Sequence, residues 1–195
     1  MTIQKITTDF FESNVYLFEI NSKKIMVDCG GTVEGIRAML KNFDFWPDHL
    51  LLTHGHIDHI LALPLFSKTD TKVYIHKNDA HFLSDPNFNL STRLIGTRFV
   101  WDHVFFDYDE LPKDLGIDVI HTPGHTPGSV CLAVGEHLFS GDTLFCDGIG
   151  NTIFPGGDYD MEIQSIQDLF ELPLKTAVYP GHGPSTTIEA EKNTI

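Results

Sequence analysis

The sequence is poor in basic residues: thirteen Lys and Arg stand against twenty-seven Asp and Glu, for a formal net charge of −14 with histidine neutral. A chain this acidic lacks the cationic patch that nucleic acid requires, and an anionic membrane surface would repel it. Cysteine is scarce too. Cys29, Cys131 and Cys146 form no C-x-x-C and are odd in number, which argues against a disulfide framework and suits a reducing cytosol. No apolar run approaches the ~20 residues needed to span a bilayer. The stretch from Met1 to Phe18 carries Asp9 and Glu12 and lacks the basic-then-apolar pattern of a signal peptide. There is no solenoid-type repeat and no linker-like tract. The expectation is a soluble, cytoplasmic protein with no nucleic-acid or membrane partner and an open oligomeric state.

What is present suits one globular domain over residues 1–195. Apolar residues make up 42% and charged residues 21%, enough for a sizeable core. Ile3–Thr7, Val15–Ile20 and Lys24–Val27 read as short strands with a turn at Asn21-Ser22. Residues 33–43 show a helical period that Trp46-Pro47 should end. His49–Leu52 is a buried strand, and Lys72–His76, Ile117–His121, Ser129–Val134, His137–Ser140 and Lys175–Tyr179 are others. A short helix is expected near Asn78–Leu83 and a helical turn or two over Thr186–Lys192. Asp85 to His103 is irregular, and Asp142 to Gly157 is a Gly-rich loop. Asp158 should cap a helix whose apolar positions are Met161, Ile163, Ile166, Leu169 and Phe170. Strands and helices mix throughout, so the fold class is α/β or α+β.

The chemistry concentrates after the strand His49–Leu52, in Thr53-His54-Gly55-His56-Ile57-Asp58-His59. Three histidines and a carboxylate in six residues make a metal site the leading reading. In an extended chain His54 and His56 project to the same side. Asp58 and His59 fall where Asp would open a helix, which should run to about Ser67 with Pro64 weakening its far end. Further polar residues each follow a short apolar strand and sit among glycines and prolines: His125, Asp142 and His182. The shared pattern of strand, tight turn and ligand would bring side chains from several strand ends to one rim of a sheet.

These residues identify the chain as similar to metallo-β-lactamase superfamily hydrolases, and within them to the glyoxalase II-like branch; Asp28-Cys29-Gly30 matches that family's early aspartate turn. The resemblance runs from about Asn14 to Gly183 and implies a four-layer αββα sandwich with the site on one edge. It implies that His54, His56 and His125 hold one metal, that Asp58, His59 and His182 hold a second, and that Asp142 bridges them. Asp28 would orient a ligand histidine. Five imidazoles and two carboxylates without thiolate suit two divalent ions, Zn first, with Fe or Mn also compatible. The implied catalytic group is Asp58, His54, His56 and Asp142, acting through a metal-bound hydroxide on a small-molecule substrate, a thioester such as S-lactoylglutathione. The alternatives are an iron-dependent persulfide dioxygenase and a lactonase or phosphodiesterase of the same superfamily.

Two features depart from that branch. Asn151 and Ile153 stand where its arginine and aspartate are expected, and Lys192 is the only basic residue after His182, where the full glyoxalase II enzymes carry basic residues that grip glutathione. The sequence is therefore similar to the short, single-domain type. Substrate contacts must come from elsewhere, and Arg93, Arg98, Trp101, Cys146 and Tyr159 are the candidates. The remaining histidines read as structural or surface residues.

Overall fold

The computed structural model describes residues 1–194. Strands β1 (Ile3–Thr7), β2 (Asn14–Ile20) and β3 (Lys23–Val27) form an antiparallel meander. Asn21 and Ser22 turn the second hairpin with φ of 49° and 59°, the left-handed pair that a two-residue turn between twisted strands requires. Helix α1 (Val33–Asn42) then crosses to β4 (His49–Leu51), and a second crossover leads to β5 (Lys72–Tyr74); both strands run parallel to β3. The second crossover holds the one-turn helix α2 (Ile57–Ile60) and a 3-10 turn over Leu63–Phe66. The sheet order is β1-β2-β3-β4-β5.

A 3-10 segment over Lys77–Leu83 and the one-turn helix α3 (Ser91–Ile95) connect the halves. The second sheet contains β6 (Asp118–His121), β7 (Val130–Val134) and β8 (His137–Gly141). A small hairpin of β9 (Leu144–Phe145) and β10 (Gly148–Ile149) and helix α4 (Tyr159–Leu169) precede β11 (Ala177–Pro180), which pairs parallel to β8. β12 (Thr186–Thr187) and helix α5 (Ile188–Lys192) complete it, in the order β12-β11-β8-β7-β6.

The strand period of two sorts the apolar residues into layers. On β2, Val15 and Leu17 pack with Ile36, Met39 and Leu40 of α1, while Tyr16 and Phe18 face the second sheet. On β7, Val130, Leu132 and Val134 face the first sheet, and Cys131 turns outward to Ile166 and Leu169 of α4. The result is the expected αββα sandwich. At its centre the Phe139 ring stacks on Phe18 (5.0 Å between centroids) and meets Tyr16 edge-on at 5.2 Å.

Several elements differ from the sequence expectation for identifiable reasons. Helix α1 ends at Asn42, within a residue of the expected 43, but a backbone turn and not Trp46-Pro47 stops it. Asp44 takes a left-handed φ of 48°, and the Phe45 N–H returns to the Leu40 carbonyl at 2.9 Å, a Schellman ending with aspartate in glycine's usual place. The motif helix is one turn long, with His56 rather than Asp58 at its N-cap position and no side-chain cap. Pro64 opens a separate 3-10 turn instead of continuing it. On α4, Met161 is exposed while Glu162 is buried. Trp101 is buried as well and donates its indole N–H to Ser67 at 3.0 Å, so it belongs to the core and not to a substrate cleft. Among the described residues no helix is long and apolar enough to cross a membrane.

Phe139 is fully buried between the sheets. Truncating it in Phe139→Ala should therefore destabilise the protein by about 3–5 kcal/mol; the midpoint and slope of urea unfolding check this, and a loss under 1 kcal/mol would contradict the central position given to the ring.

Candidate metal centre

Four loops meet at one edge because four strands end there. The His54 segment follows β4, His125 follows β6, Asp142 follows β8 and His182 follows β11. β8 and β11 are parallel, and β6 runs in their direction because both it and β8 are antiparallel to β7. Their carboxyl ends consequently share one rim. Hydrogen bonds join the two sheets at that rim: Asn14 N–H to the Gly181 carbonyl at 2.7 Å and Val130 N–H to the Thr53 carbonyl at 2.9 Å.

The seven side chains named from the sequence come together in two groups, His54, His56 and His125 in one and Asp58, His59, Asp142 and His182 in the other. In the first, His56 Nδ1 lies 2.9 Å from His125 Nε2. In the second, His182 Nε2 lies 3.1 Å from Asp58 Oδ2 and 3.4 Å from His59 Nε2. Asp142 spans the two. Its Oδ1 is 3.2 Å from His59 Nε2 and its Oδ2 is 3.7 Å from His125 Nε2.

Neighbouring groups fix which ring nitrogens are available. Asp28 accepts from the Thr53 amide, the Thr53 hydroxyl and His59 Nδ1, each at 2.8 Å. His59 Nε2 is then the ring nitrogen left to face the centre. The Thr53 hydroxyl has spent its proton on Asp28, so it accepts from His54 Nδ1 at 3.1 Å, which leaves His54 Nε2 as a bare acceptor. His125 Nδ1 donates to the Asn151 carbonyl at 2.8 Å, with the same consequence for its Nε2.

The electrostatics suit cations. Burial pushes the imidazole of His56 down to about 3 and that of His54 well below the ordinary histidine range. Burial also lowers His125, against the pull of Asp142. These three rings are neutral, the form that ligates metal. Burial opposes charge on Asp142 and Asp58, yet His59, aided by His182, holds both carboxyls below the usual range. Asp142, Asp28 and Asp58 outweigh burial to raise His59. His54 Nε2, His56 Nε2 and Asp142 Oδ1 are buried without a hydrogen-bond partner. Buried polar atoms are rarely left so, and their concentration among the ligand side chains fits a metal centre.

The chain's glycines allow this closeness. A Cβ on Gly181 would lie 2.1 Å from Asp142 Oδ1 and 2.7 Å from His59 Cε1. Gly124, with φ of 149°, would drive one into the backbone of Glu162 at 2.3 Å.

Two buried carboxylates that brace the loops escaped the sequence reading. Asp79 accepts from the Gly55 amide at 3.0 Å, the Thr126 hydroxyl at 2.8 Å and the Gly128 amide at 2.6 Å. It thereby ties the His54–His56 turn to the His125 turn. Glu162 accepts from the amides of His125 (2.7 Å) and Gly150 (3.1 Å). The available signal was the helical spacing of Glu162 with Ile166 and Leu169, which puts a glutamate on a core face. Of the other candidates, Arg98 lines a separate polar cleft with His81 and Asp85. Tyr159 is exposed, and Cys146 sits half-buried beside Asp147.

Comparison with known proteins accords with this geometry. The model of the family described as "Metallo-beta-lactamase superfamily" matches residues 8–182. A Bacillus subtilis protein named "Probable metallo-hydrolase YqgX" is 36% identical, over 93% of this chain and 90% of its own. "Hydroxyacylglutathione hydrolase GloC" of Haemophilus influenzae is 32% identical, over 98% of this chain and 95% of its own. The crystal structure of TTHA1623 in a di-iron-bound form superposes with a TM-score of 0.86 at 32% identity, covering 98% of each chain.

Asp79 supplies a pH test. Burial raises its carboxyl to about 6 against the pull of its donors, above the ordinary ~3.9 of an unfolded aspartate. The folded state then holds the proton more tightly, so this residue's contribution to stability falls as pH rises from about 4 to about 6. Metal-free wild type should lose stability across that window relative to Asp79→Asn, by at most about 1.4 kcal/mol per pH unit. Parallel pH profiles from chemical unfolding would refute this.

Proposed function

The chain belongs to the metallo-β-lactamase superfamily, and from that premise we propose that it is a metal-dependent hydrolase acting on a thioester, with S-lactoylglutathione as the substrate of first choice. The observation that carries the reading is that Asp28, Thr53 and Asn151 hold the Nδ1 atoms of His59, His54 and His125, leaving their Nε2 atoms for the centre around Asp142, whose buried Oδ1 has no hydrogen-bond partner. His54, His56 and His125 would hold one divalent ion, Asp58, His59 and His182 the second, and Asp142 both. Zinc is the first assignment for a site of nitrogen and carboxylate donors. Iron, named in the TTHA1623 structure, and manganese share the same preferences. Such a pair, when bound, supplies an acidified water and polarises a carbonyl oxygen.

The residues supply the rest. Asp58 faces the site from its rim beside His182, where it can orient the attacking water. Asp142 lies between the groups and holds their separation. Asp28 keeps the His59 ring in one tautomer, and His54 and His56 present neutral nitrogens from a turn locked by Asp79. Every ionisable member of the two clusters except His54 is already engaged with another, and His54 is held by Thr53. A site so committed favours a leaving group that departs as its own anion, and a thiolate does so without a proton donor. The likeness to GloC, whose name states a thioester substrate, supports the same choice.

Metal analysis after loading should find between one and two ions per chain. Asp142→Ala should lower occupancy of both sites together, whereas His182→Ala should spare the first; equal loss in the two variants would remove Asp142 from its bridging position. Metal-replete protein should hydrolyse S-lactoylglutathione with a kcat/KM at least tenfold above that for a lactone, a phosphodiester or a β-lactam, and should consume no oxygen with glutathione persulfide. Absent thioester turnover, or oxygen uptake in its place, would overturn the assignment.

A further inference from the structure

We propose that Arg93 is a specificity-determining residue that selects a substrate bearing a carboxylate, gripping that group at the rim on the His56 side of the centre. The inference rests on the thioester reading above and adds the feature of the substrate that the metal ligands do not read.

Its starting point is a contact. The Arg93 guanidinium carbon lies 5.3 Å from the centroid of the Phe154 ring, and Phe154 in turn meets the His56 imidazole edge-on at 5.7 Å. One aromatic ring thus separates a permanent positive charge from the first metal group. A guanidinium held near a ring face by cation–π attraction spends none of its N–H groups on that contact and keeps its N–H edge for another partner. Arg93 is exposed, and among the described residues no carboxylate lies within salt-bridge distance of it, although the chain has twice as many acidic as basic residues. The edge is therefore available for the two-pronged bond that guanidinium makes to a carboxylate.

The backbone beneath it is built with unusual care for a surface turn. The Asn89 carbonyl accepts from the Ile57 amide at 2.8 Å, which fastens the segment to the residue after His56. The Asn89 side chain donates to the Phe82 and Phe99 carbonyls and accepts from the Ser91 amide, and the Ser91 hydroxyl accepts from the Phe99 amide. Asn89 and Ser91 are fully buried. Leu90 between them holds a left-handed φ of 66° while 3% exposed, a conformation disfavoured for leucine that persists only where surroundings impose it. Helix α3 thereby presents Arg93 from a platform tied to the metal turn.

Other cations do not share this place. Lys24 over Phe45 and Lys72 over Phe106 stand near the starts of β3 and β5, at the opposite edge of a sheet whose parallel strands deliver the site at their ends. Lys5 is near His182 but its ammonium is engaged by the Gly183 carbonyl. Arg98 lines the separate cleft.

The test is equilibrium binding of S-hexylglutathione, an uncleavable thioether with two carboxylates, and of its diethyl ester, which has none, to metal-loaded protein. Wild type should bind the diacid at least tenfold tighter than the diester, within the range of a lost charge-assisted bond. R93Q should bring the two within twofold, and R93K should fall between, since ammonium keeps the charge without the fork. R98Q, changed on the same exposed segment, should behave as wild type. A wild type without acid preference, or an R93Q variant that retains it, overturns the proposal. Failure of the thioester reading would look different: the Arg93-dependent preference would persist while S-lactoylglutathione went unhydrolysed.

Discussion

The carboxylate of Asp28 is the constraint on which the arrangement depends. It is 2% exposed, and it receives the amide and hydroxyl of Thr53 and the Nδ1–H of His59. Those three bonds join the end of β3, the end of β4 and helix α2, and through the Thr53 hydroxyl they also set the tautomer of His54. A buried carboxylate with too few donors would be costly; one with three becomes a fixed point from which two imidazoles are aimed. Asp28 itself takes a φ of 59°, a conformation that aspartate tolerates better than most residues. The turn can therefore point its side chain back under the histidines.

A second level of bracing works from outside the cluster. Asp79 and Glu162 are buried carboxylates that accept mainly backbone N–H groups from the ligand loops, Gly55 and Gly128 for the one, His125 and Gly150 for the other. Loops that carry function usually lie open on a surface and are held by few contacts. Here the unpaired amides of tight glycine turns are gathered by side chains projecting from the 3-10 segment over Lys77–Leu83 and from α4. Those elements are anchored in turn by the apolar layers, since Phe82 is fully buried beside Asp79 and Ile166 and Leu169 beneath Glu162. Core packing is thereby converted into the fixed geometry that a multi-ligand site requires.

How much of this was legible in the sequence follows from the range over which each signal acts. The strands and their facing residues were readable because alternation is local, and β1 was placed at its observed ends. The ligand loops were readable because each polar residue directly follows its strand among glycines and prolines. Glu162 and Asp79 were not, because what makes them important is a donor 37 or 24 residues away, and no local pattern records it. Helix α1 was read to within a residue of its observed end, whereas the length of α2 was misjudged where a backbone hydrogen bond decided the ending: the Cys29 carbonyl takes the Ala62 amide at 3.0 Å just past it. Trp101 misled as an aromatic in an irregular segment, since its partner Ser67 lies 34 residues back.

Because both sheets contribute ligands, cations at this rim would act on the whole fold and not on a loop. The first sheet supplies His54, His56, Asp58 and His59, and the second supplies His125, Asp142 and His182. Any ion bound across them favours the folded chain in proportion to its occupancy. It would also relieve a local excess of negative charge, for Asp28, Asp58 and Asp142 crowd around His59 and raise its proton affinity. The same carboxylates that raise the proton affinity of His59 and His182 against burial would also attract a divalent ion. Metal loading should consequently displace protons from the second group far more than from the first, whose buried rings are already neutral. The two halves of the centre thus differ in kind: one is a preformed set of neutral donors, the other a charge network that exchanges one cation for another.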